Sequence, residues 1–352
     1  MTHIIKVLIQ VLKENLSIIS NEKTTKDKHN FFCDNIDTKS LSEGLSNDFD
    51  IKLFVRNSKT LRTAYKINQK NIVMSKNILV YILNILKSLS FSEKYLIISL
   101  SPYTFTICVL LSILRKKVYV YLRSNGYEEY KCYSKYFGPF IYHIMFSIAS
   151  LSSNLIACRK HLLKEKKGEL VSPSQLNEKW FDNRKSPDLS KIKLLYVGRI
   201  RIEKGIFSLF EIMKKVKQDI TLSVVGMEKS SDKKNEQKNI NIYEIETLEE
   251  KLINYYDEHN IFVLPSYTEG YPMVILESLA RQRPVIIFDE IKHVIGDKKG
   301  IFVSKRNTES FIEKINYIKN NYNKIQKDIK NNDLPLKQDF LKKLENSIFN
   351  AS

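Results

Sequence analysis

The chain has 352 residues, 43% of them hydrophobic, and a formal net charge of +18. That length suits two domains of ordinary size, each able to bury a core. Cys33, Cys108, Cys132 and Cys158 lack CxxC spacing and the six histidines lack metal-ligand spacing, which excludes a disulfide framework and a zinc site and points to reduced thiols in a cytosolic protein.

The charge is uneven. Residues 1–170 hold 26 Lys and Arg against 13 Asp and Glu, whereas residues 171–352 hold 31 against 26. A basic half suits an anionic partner, either a membrane surface or nucleic acid. No helix-turn-helix, zinc-finger or aromatic RNA-binding pattern accompanies the charge, so nucleic acid is set aside.

In chain order, the first expected strand is Ile4–Ile9. Met1 to Ser20 includes Lys6, Lys13 and Glu14 and no small-residue cleavage site, so no signal peptide is expected. The stretch after Leu12, with Gly44 as its single glycine, reads as polar and mobile. A strand follows at Ile51–Val55. Lys59, Arg62, Lys66 and Lys70 recur at three- and four-residue spacing, the pattern of one helical stripe, and Ile78 to Leu89 carries an apolar helical face. This basic and apolar region suits an anionic membrane surface.

Tyr95 to Leu114 is the longest apolar stretch. Its Ser, Thr, Tyr and Pro residues argue against a membrane span; the better reading is a strand Tyr95–Ser99, a cap at Ser101, Pro102 at the first helical position and a helix to Leu114. Further strands are expected at Val118–Leu122, Leu155–Ala157, Lys193–Val197, Thr221–Val225, Ile240–Tyr243, Ile261–Leu264, Val285–Phe288 and Gly300–Val303. Helices fill most gaps, and a last one runs from Leu336 to Ile348 after a turn at Leu334-Pro335. Repeating strand–helix units give an α/β chain with parallel sheets covered by helices on both faces. The expected division is a divergent basic domain over 1–171, a polar linker over 172–191, a second domain over 192–333 and a terminal helix over 334–352.

Two segments carry chemistry. Lys193 to Val216 reads KLLYVGRIRIEKGIFSLFEIMKKV: a short strand, a loop from Gly198 to Gly205 bearing Arg199 and Lys204, then an amphipathic helix. Strand, glycine loop with cations and helix form a phosphate-binding arrangement, because N–H groups and the helix dipole both favour an anion. Phe262 to Pro284 reads FVLPSYTEGYPMVILESLARQRP, with Glu269 and Glu277 separated by seven residues around a turn and a helix start. Glu269 stands near the backbone N–H groups of Gly270 and Tyr271, Pro272 opens the helix at its first position, and Glu277 lies more than a turn inside it.

Together these segments resemble the donor-binding half of retaining glycosyltransferases of the GT-B fold, the family 4 or group 1 type. The resemblance is strong from about Leu194 to Val303 and weak before residue 95. It implies two Rossmann-like doubly wound domains facing across a cleft, with the last helix crossing back to the first domain. It gives Arg199 and Lys204 the donor diphosphate, Glu269 the hydroxyls of the transferred sugar and Glu277 the ribose, with Gly270, Tyr271 and Pro272 completing the donor site. Glu269, Arg199 and Lys204 are then the catalytic group. The family often places a histidine after the fourth strand of the first domain. This chain reads RSNGYEEY there, where Asn125 or Arg123 can supply a hydrogen bond and Gly126 suits a close backbone approach.

The implied activity is sugar transfer from a UDP- or GDP-sugar, with no metal since no DxD motif is present, to a lipid-linked or polysaccharide acceptor in cell-surface glycan synthesis. The implied location is cytoplasmic, at the inner face of the membrane. The alternative from another class is a non-catalytic sugar-nucleotide-binding or scaffold protein with a degenerate cleft. A sugar-nucleotide 2-epimerase, the other enzyme of this fold weighed, needs acidic and histidine residues that find no place here.

Overall fold

The computed structural model describes residues 13–62, 64–216, 219–227 and 238–350. The expected strand Ile4–Ile9 lies outside them. The chain divides into two compact units, the first running to Val171 and resuming at Leu341, the second Ser172–Phe340.

The first unit is built on strands β1 (Glu14–Asp27), β2 (Asn30–Cys33), β3 (Phe49–Asn57), β4 (Tyr65–Ile67), β5 (Ile72–Ser75), β6 (Lys94–Ile98), β7 (Lys117–Leu122), β8 (Asn154–Ala157) and β9 (Glu169–Leu170). The parallel order is β5-β3-β1-β6-β7-β8-β9, while β2 and β4 extend the far end of β1 as antiparallel strands. Its helices are α1 (Ile36–Gly44), α2 (Ile78–Leu86), α3 (Pro102–Ile113), α4 (Gly126–Tyr133) and α5 (Phe137–Ser152). Ser101 caps α3 through a reciprocal box with Thr104, with Pro102 in the first turn, so the long apolar stretch is a strand followed by a capped helix. No helix among the described residues is long and apolar enough to cross a membrane.

Two expectations fail here. The stretch read as polar and mobile contains β1, the strand at the centre of the sheet, with Leu16, Ile18 and Ile19 fully buried. Its two buried serines find partners: Ser17 Oγ lies 2.7 Å from Ser92 Oγ, and Ser20 Oγ 3.2 Å from Thr38 Oγ1. The basic residues from Lys59 to Lys70 do not form a helical stripe. Lys66 lies in β4 itself and the others in irregular chain on either side of it, where Arg62 pairs with Asp34. Tertiary pairing of β4 with β2 overrides the helical spacing.

The second unit carries β10 (Ile192–Val197), β11 (Ile220–Met227), β12 (Ile240–Glu244), β13 (Ile261–Leu264), β14 (Val285–Phe288) and β15 (Ile301–Ser304), all parallel, in the order β12-β11-β10-β13-β14-β15. The connecting helices are α6 (Ile206–Lys214), α7 (Glu249–Glu258), α8 (Met273–Ala280), α9 (Thr308–Asn320) and α10 (Tyr322–Lys330); α11 (Lys337–Asn350) closes the chain and ends in the first unit. There Phe349 stacks on Phe49 at 4.6 Å and Ser347 donates a hydrogen bond to Glu169. The strand order reverses between β10 and β13. The helices that follow these two strands therefore pack on opposite faces of the sheet, and ligand crevices form outside the carboxyl ends of the strands at such a reversal.

The polar segment from Ser172 to Lys191 is fastened to this second unit. Trp180 is buried, and the buried Arg281 guanidinium donates to the carbonyls of Trp180 and Asp182 at 3.0 and 2.6 Å and pairs with Asp257 at 2.7 Å. Arg283 donates to the Lys185 carbonyl at 2.7 Å.

Candidate functional site

The loop after β10 begins at Gly198. At its far end Gly205 adopts φ +66°, a left-handed conformation, and a Cβ there would stand 1.8 Å from the Pro265 carbonyl oxygen. Only glycine permits this approach, and it brings the loop after β10 against the loop after β13. A hydrogen bond from the Tyr267 N–H to the Glu203 carbonyl, 3.0 Å, closes the contact. The Tyr196 hydroxyl donates to the Arg199 carbonyl at 2.9 Å and fixes the start of the first loop. Burial, with the Glu269 carboxylate nearby, pushes the Tyr196 phenol up, so it stays a neutral donor.

These contacts bring together two of the residues expected in the site. Lys204 Nζ donates to Glu269 Oε1 at 2.7 Å, and Ser266 Oγ donates to the same oxygen at 2.6 Å. The lysine side chain is 25% exposed and the glutamate 10%, so the pair sits at the floor of the crevice with the lysine still open to a ligand. Arg199 is exposed in the first loop and makes no ion pair among the described residues. Gly270 and Pro272 are buried and Tyr271 partly so. Pro272 occupies the cap position of α8 (φ −75°, ψ 105°), one place earlier than expected, and Met273 is the first helical residue.

Glu277, on the second turn of α8, is partly buried. It accepts a hydrogen bond from the Tyr256 hydroxyl of α7 at 2.8 Å. Burial pushes its carboxyl up to about 7; the neighbouring Glu249 adds to the rise, and the Tyr256 hydrogen bond opposes it. A carboxyl held near neutrality with one oxygen already engaged is a poised acceptor for hydroxyl donors.

Several supporting residues have no sequence signature. Ser266 lies just past the end of β13, and Tyr256 lies on a helix outside both motifs. Arg306, after β15, donates to the carbonyls of Pro265 and Ser266 at 2.8 and 3.4 Å and to Ser208 Oγ at 2.7 Å, lies 4.2 Å over the Tyr267 ring, and forms two bonds to Glu290 at 2.8 and 2.9 Å. The Arg306 hydrogen bond holds the Glu290 carboxyl below the usual carboxylate range. His293 Nε2 lies 2.9 Å from the Glu269 carbonyl oxygen and must donate to it.

The first unit offers a different picture at the end of β7. Arg123 is paired with Asp37 at 2.5 Å, both side chains about nine-tenths buried, so its guanidinium is committed within the unit. A Cβ on Gly126 would lie 2.0 Å from the Tyr142 ring; the close approach there is to an aromatic side chain. Asn125 caps α4 without a side-chain bond.

Two Rossmann-like units built on parallel sheets, the second with its strand order reversing between β10 and β13, define the GT-B architecture. Solved structures of that architecture match nearly the whole chain. Sucrose-phosphate synthase from Thermosynechococcus elongatus superposes with a TM-score of 0.70 at 15% identity over 97% of this chain and all of that one. Anabaena HepE in complex with UDP and glucose gives 0.68 at 8% identity over 95% and 99%. WaaG, a glycosyltransferase involved in lipopolysaccharide biosynthesis, gives 0.65 at 13% over 96% and 100%. Residues 178–333, inside the second unit, match the model of the family glycosyl transferases group 1. Among relatives by sequence, a putative teichuronic acid biosynthesis glycosyltransferase of Bacillus subtilis is 28% identical over 34% of this chain, and a capsular polysaccharide biosynthesis glycosyltransferase of Staphylococcus aureus is 30% identical over 34%. These alignments span 31% and 34% of the relatives' own lengths.

Proposed function

We propose that the protein is a retaining glycosyltransferase of family 4 type. It moves a sugar from a UDP- or GDP-sugar to a lipid-linked or polysaccharide acceptor in cell-surface glycan synthesis, at the cytoplasmic face of the membrane. The observation that carries this reading is the Lys204–Glu269–Ser266 assembly at the carboxyl ends of β10 and β13. It puts a cation for phosphate and an oriented carboxylate for a sugar hydroxyl on one pair of interlocked loops. The names and activities of the relatives support the same reading.

In this mechanism the donor diphosphate lies along the loop from Gly198 to Gly205. Glu269 accepts a hydroxyl of the transferred sugar and Glu277 accepts the ribose hydroxyls. The bond between the anomeric carbon and the β-phosphate oxygen breaks. The acceptor oxygen bonds to the same face of that carbon, and its proton passes to the departing phosphate. The configuration is kept and no protein base is required. Arg199 and Lys204 stabilise the charge that grows on the phosphate, and fixed donors of this kind contribute factors of about 10²–10³ each. The diphosphate is held by side chains and backbone N–H groups, so the reaction is expected to proceed without a metal.

The test is transfer of label from UDP- and GDP-sugars to the lipid-linked glycan fraction of source cells. Transfer by the wild type with retained configuration, lost in Lys204→Ala, is the expected result. Donor binding with neither transfer nor hydrolysis would identify a binding protein instead.

A further inference from the structure

Helix α5 is apolar on two faces. Its sequence, FGPFIYHIMFSIASLS, contains no Asp, Glu, Lys or Arg. Tyr142, Met145, Phe146 and Ala149 turn inward and are buried. Phe137, Phe140, Ile141, Ile144, Ile148 and Leu151 follow one another at three- and four-residue spacing on another face, and each is between 41% and 82% exposed. An ordinary surface helix is polar there, and a stripe of this size in water marks a face that something else covers.

The stripe does not stand alone. Strands β6, β7 and β8 are successive parallel neighbours, so their right-handed crossovers place α3 and α5 on one side of the sheet. Ser112 Oγ on α3 donates to the Ser152 carbonyl on α5 at 3.0 Å, and α2 packs on α3 in turn. At the end of α3, Ile113 is 73% exposed, and on α2 the outward residues Leu79 and Leu83 are 68% and 54% exposed. Three adjacent helices thus present large apolar side chains to solvent.

Charge around this face is one-sided. Lys87 follows α2, Arg115 and Lys117 follow α3, and Lys131 on α4 and Lys135 precede α5; all five are exposed, and no Asp or Glu occurs from residue 94 to residue 127. The acids nearby are Glu93, paired with Lys116 at 2.6 Å, and Glu128 and Glu129 on α4, of which Glu128 is paired with Lys131 at 3.7 Å, so cations remain in excess. Exposed Tyr133 and Tyr136, beside Lys131 and Lys135, lead into α5. An apolar stripe with exposed tyrosines and lysines beside it offers partners to the three layers of a bilayer surface: acyl chains, interface and phosphates. A second copy of the chain fits less well, because a two-fold contact through this face would bring the same lysines together.

We propose that α2, α3 and α5 form a face that docks on an anionic lipid bilayer. The α5 stripe is seated at the acyl-chain boundary and the flanking Lys and Arg side chains meet headgroup phosphates. The proposal deepens the reading of the chain as a transferase at a membrane and rests on that reading for its setting, not for its geometry.

The test uses the full chain and sedimentation with phosphatidylcholine vesicles, with and without phosphatidylglycerol. Wild type is expected to bind the anionic vesicles, and binding should fall as salt rises without vanishing. The triple variant Phe140→Ser, Ile144→Ser, Ile148→Ser is expected to lose about tenfold or more of its partitioning. Lys131→Glu with Lys135→Glu is expected to lose the preference for phosphatidylglycerol. Failure of wild type to bind at low salt, or equal binding by the triple variant, would overturn the proposal. So would a concentration-dependent dimer that the triple variant abolishes, which would assign the face to a second copy. Donor-induced stabilisation, read on the same samples, separates the two readings. If it persists while vesicles are not bound, only the docking face fails; if it is absent while vesicles are bound, only the donor reading fails.

Discussion

Lys204 and Glu269 are 65 residues apart in sequence and 2.7 Å apart in space. The contact exists because Gly205 lets the loop after β10 settle against the Pro265 carbonyl. It joins the cation of one motif to the carboxylate of the other.

Replacing Lys204 with alanine leaves Glu269 still accepting from Ser266, in a partly exposed setting. The expected stability change is within about 1 kcal/mol. The expected loss in sugar transfer is about 10²–10³-fold, from lost stabilisation of the leaving diphosphate. Thermal melting and kcat/KM measured side by side check both halves; a large fall in melting temperature with unchanged transfer would make the pair purely structural.

Glu277 makes the protein sensitive to pH. Its carboxyl is raised by burial from 4.5 to about 7 in the folded state. Between those values the native protein holds a proton that the unfolded chain has lost. This contribution to stability is therefore complete below about pH 4.5, declines as pH rises, and is gone above about pH 7. Glu277→Gln should flatten that decline, by about 1–3 kcal/mol across the window. Donor affinity should run the opposite way and strengthen through neutrality, because ribose hydroxyls donate to the carboxylate. Tyr256→Phe removes a hydrogen bond that holds the carboxyl down, so it should shift that midpoint upward. Denaturant unfolding and donor titration across pH check both trends.

Arg306 positions the loop that carries Glu269 without belonging to either motif. It bonds two loop carbonyls and Glu290 through one planar fork. Arg306→Lys keeps the charge and loses the fork, so it should fail to restore donor affinity lost in Arg306→Ala. The donor KM should rise in both variants, and equal affinity in wild type and Arg306→Lys would deny the positioning role.

Asp257 is buried with Arg281 and Arg283 against it, at 2.7 and 3.8 Å. Asp257→Ala leaves buried guanidinium charge without its counter-ion, which costs about 3–5 kcal/mol. Chemical denaturation should register that loss, together with loosening of residues 179–185, which Arg281 and Arg283 hold.

Much of this was legible in the chain. The apolar runs at Ile261–Leu264 and Val285–Phe288 are the strands themselves, because strands buried on both faces read as unbroken hydrophobic segments. The two segments proposed to hold the donor stand out through residue types with few other uses at such spacing, and the contact between Lys204 and Glu269 joins them. β1 was missed because its buried serines look like loop residues until their partners are known. The stripe from Lys59 to Lys70 misled because spacing alone does not report pairing with a distant strand. Ser266, Tyr256, His293 and Arg306 were invisible as site residues, since each reaches the site only through tertiary contacts.

The central claim is that these loops hold a nucleotide-sugar, and a metal-free thermal-shift titration with UDP-, GDP- and ADP-sugars tests it most directly. A ligand bound only by the native state raises the melting temperature. Stabilisation by one nucleotide class in the wild type, lost in Glu277→Ala while that variant stays folded, is the predicted result. Equal stabilisation of wild type and variant, or none by any donor, would contradict it.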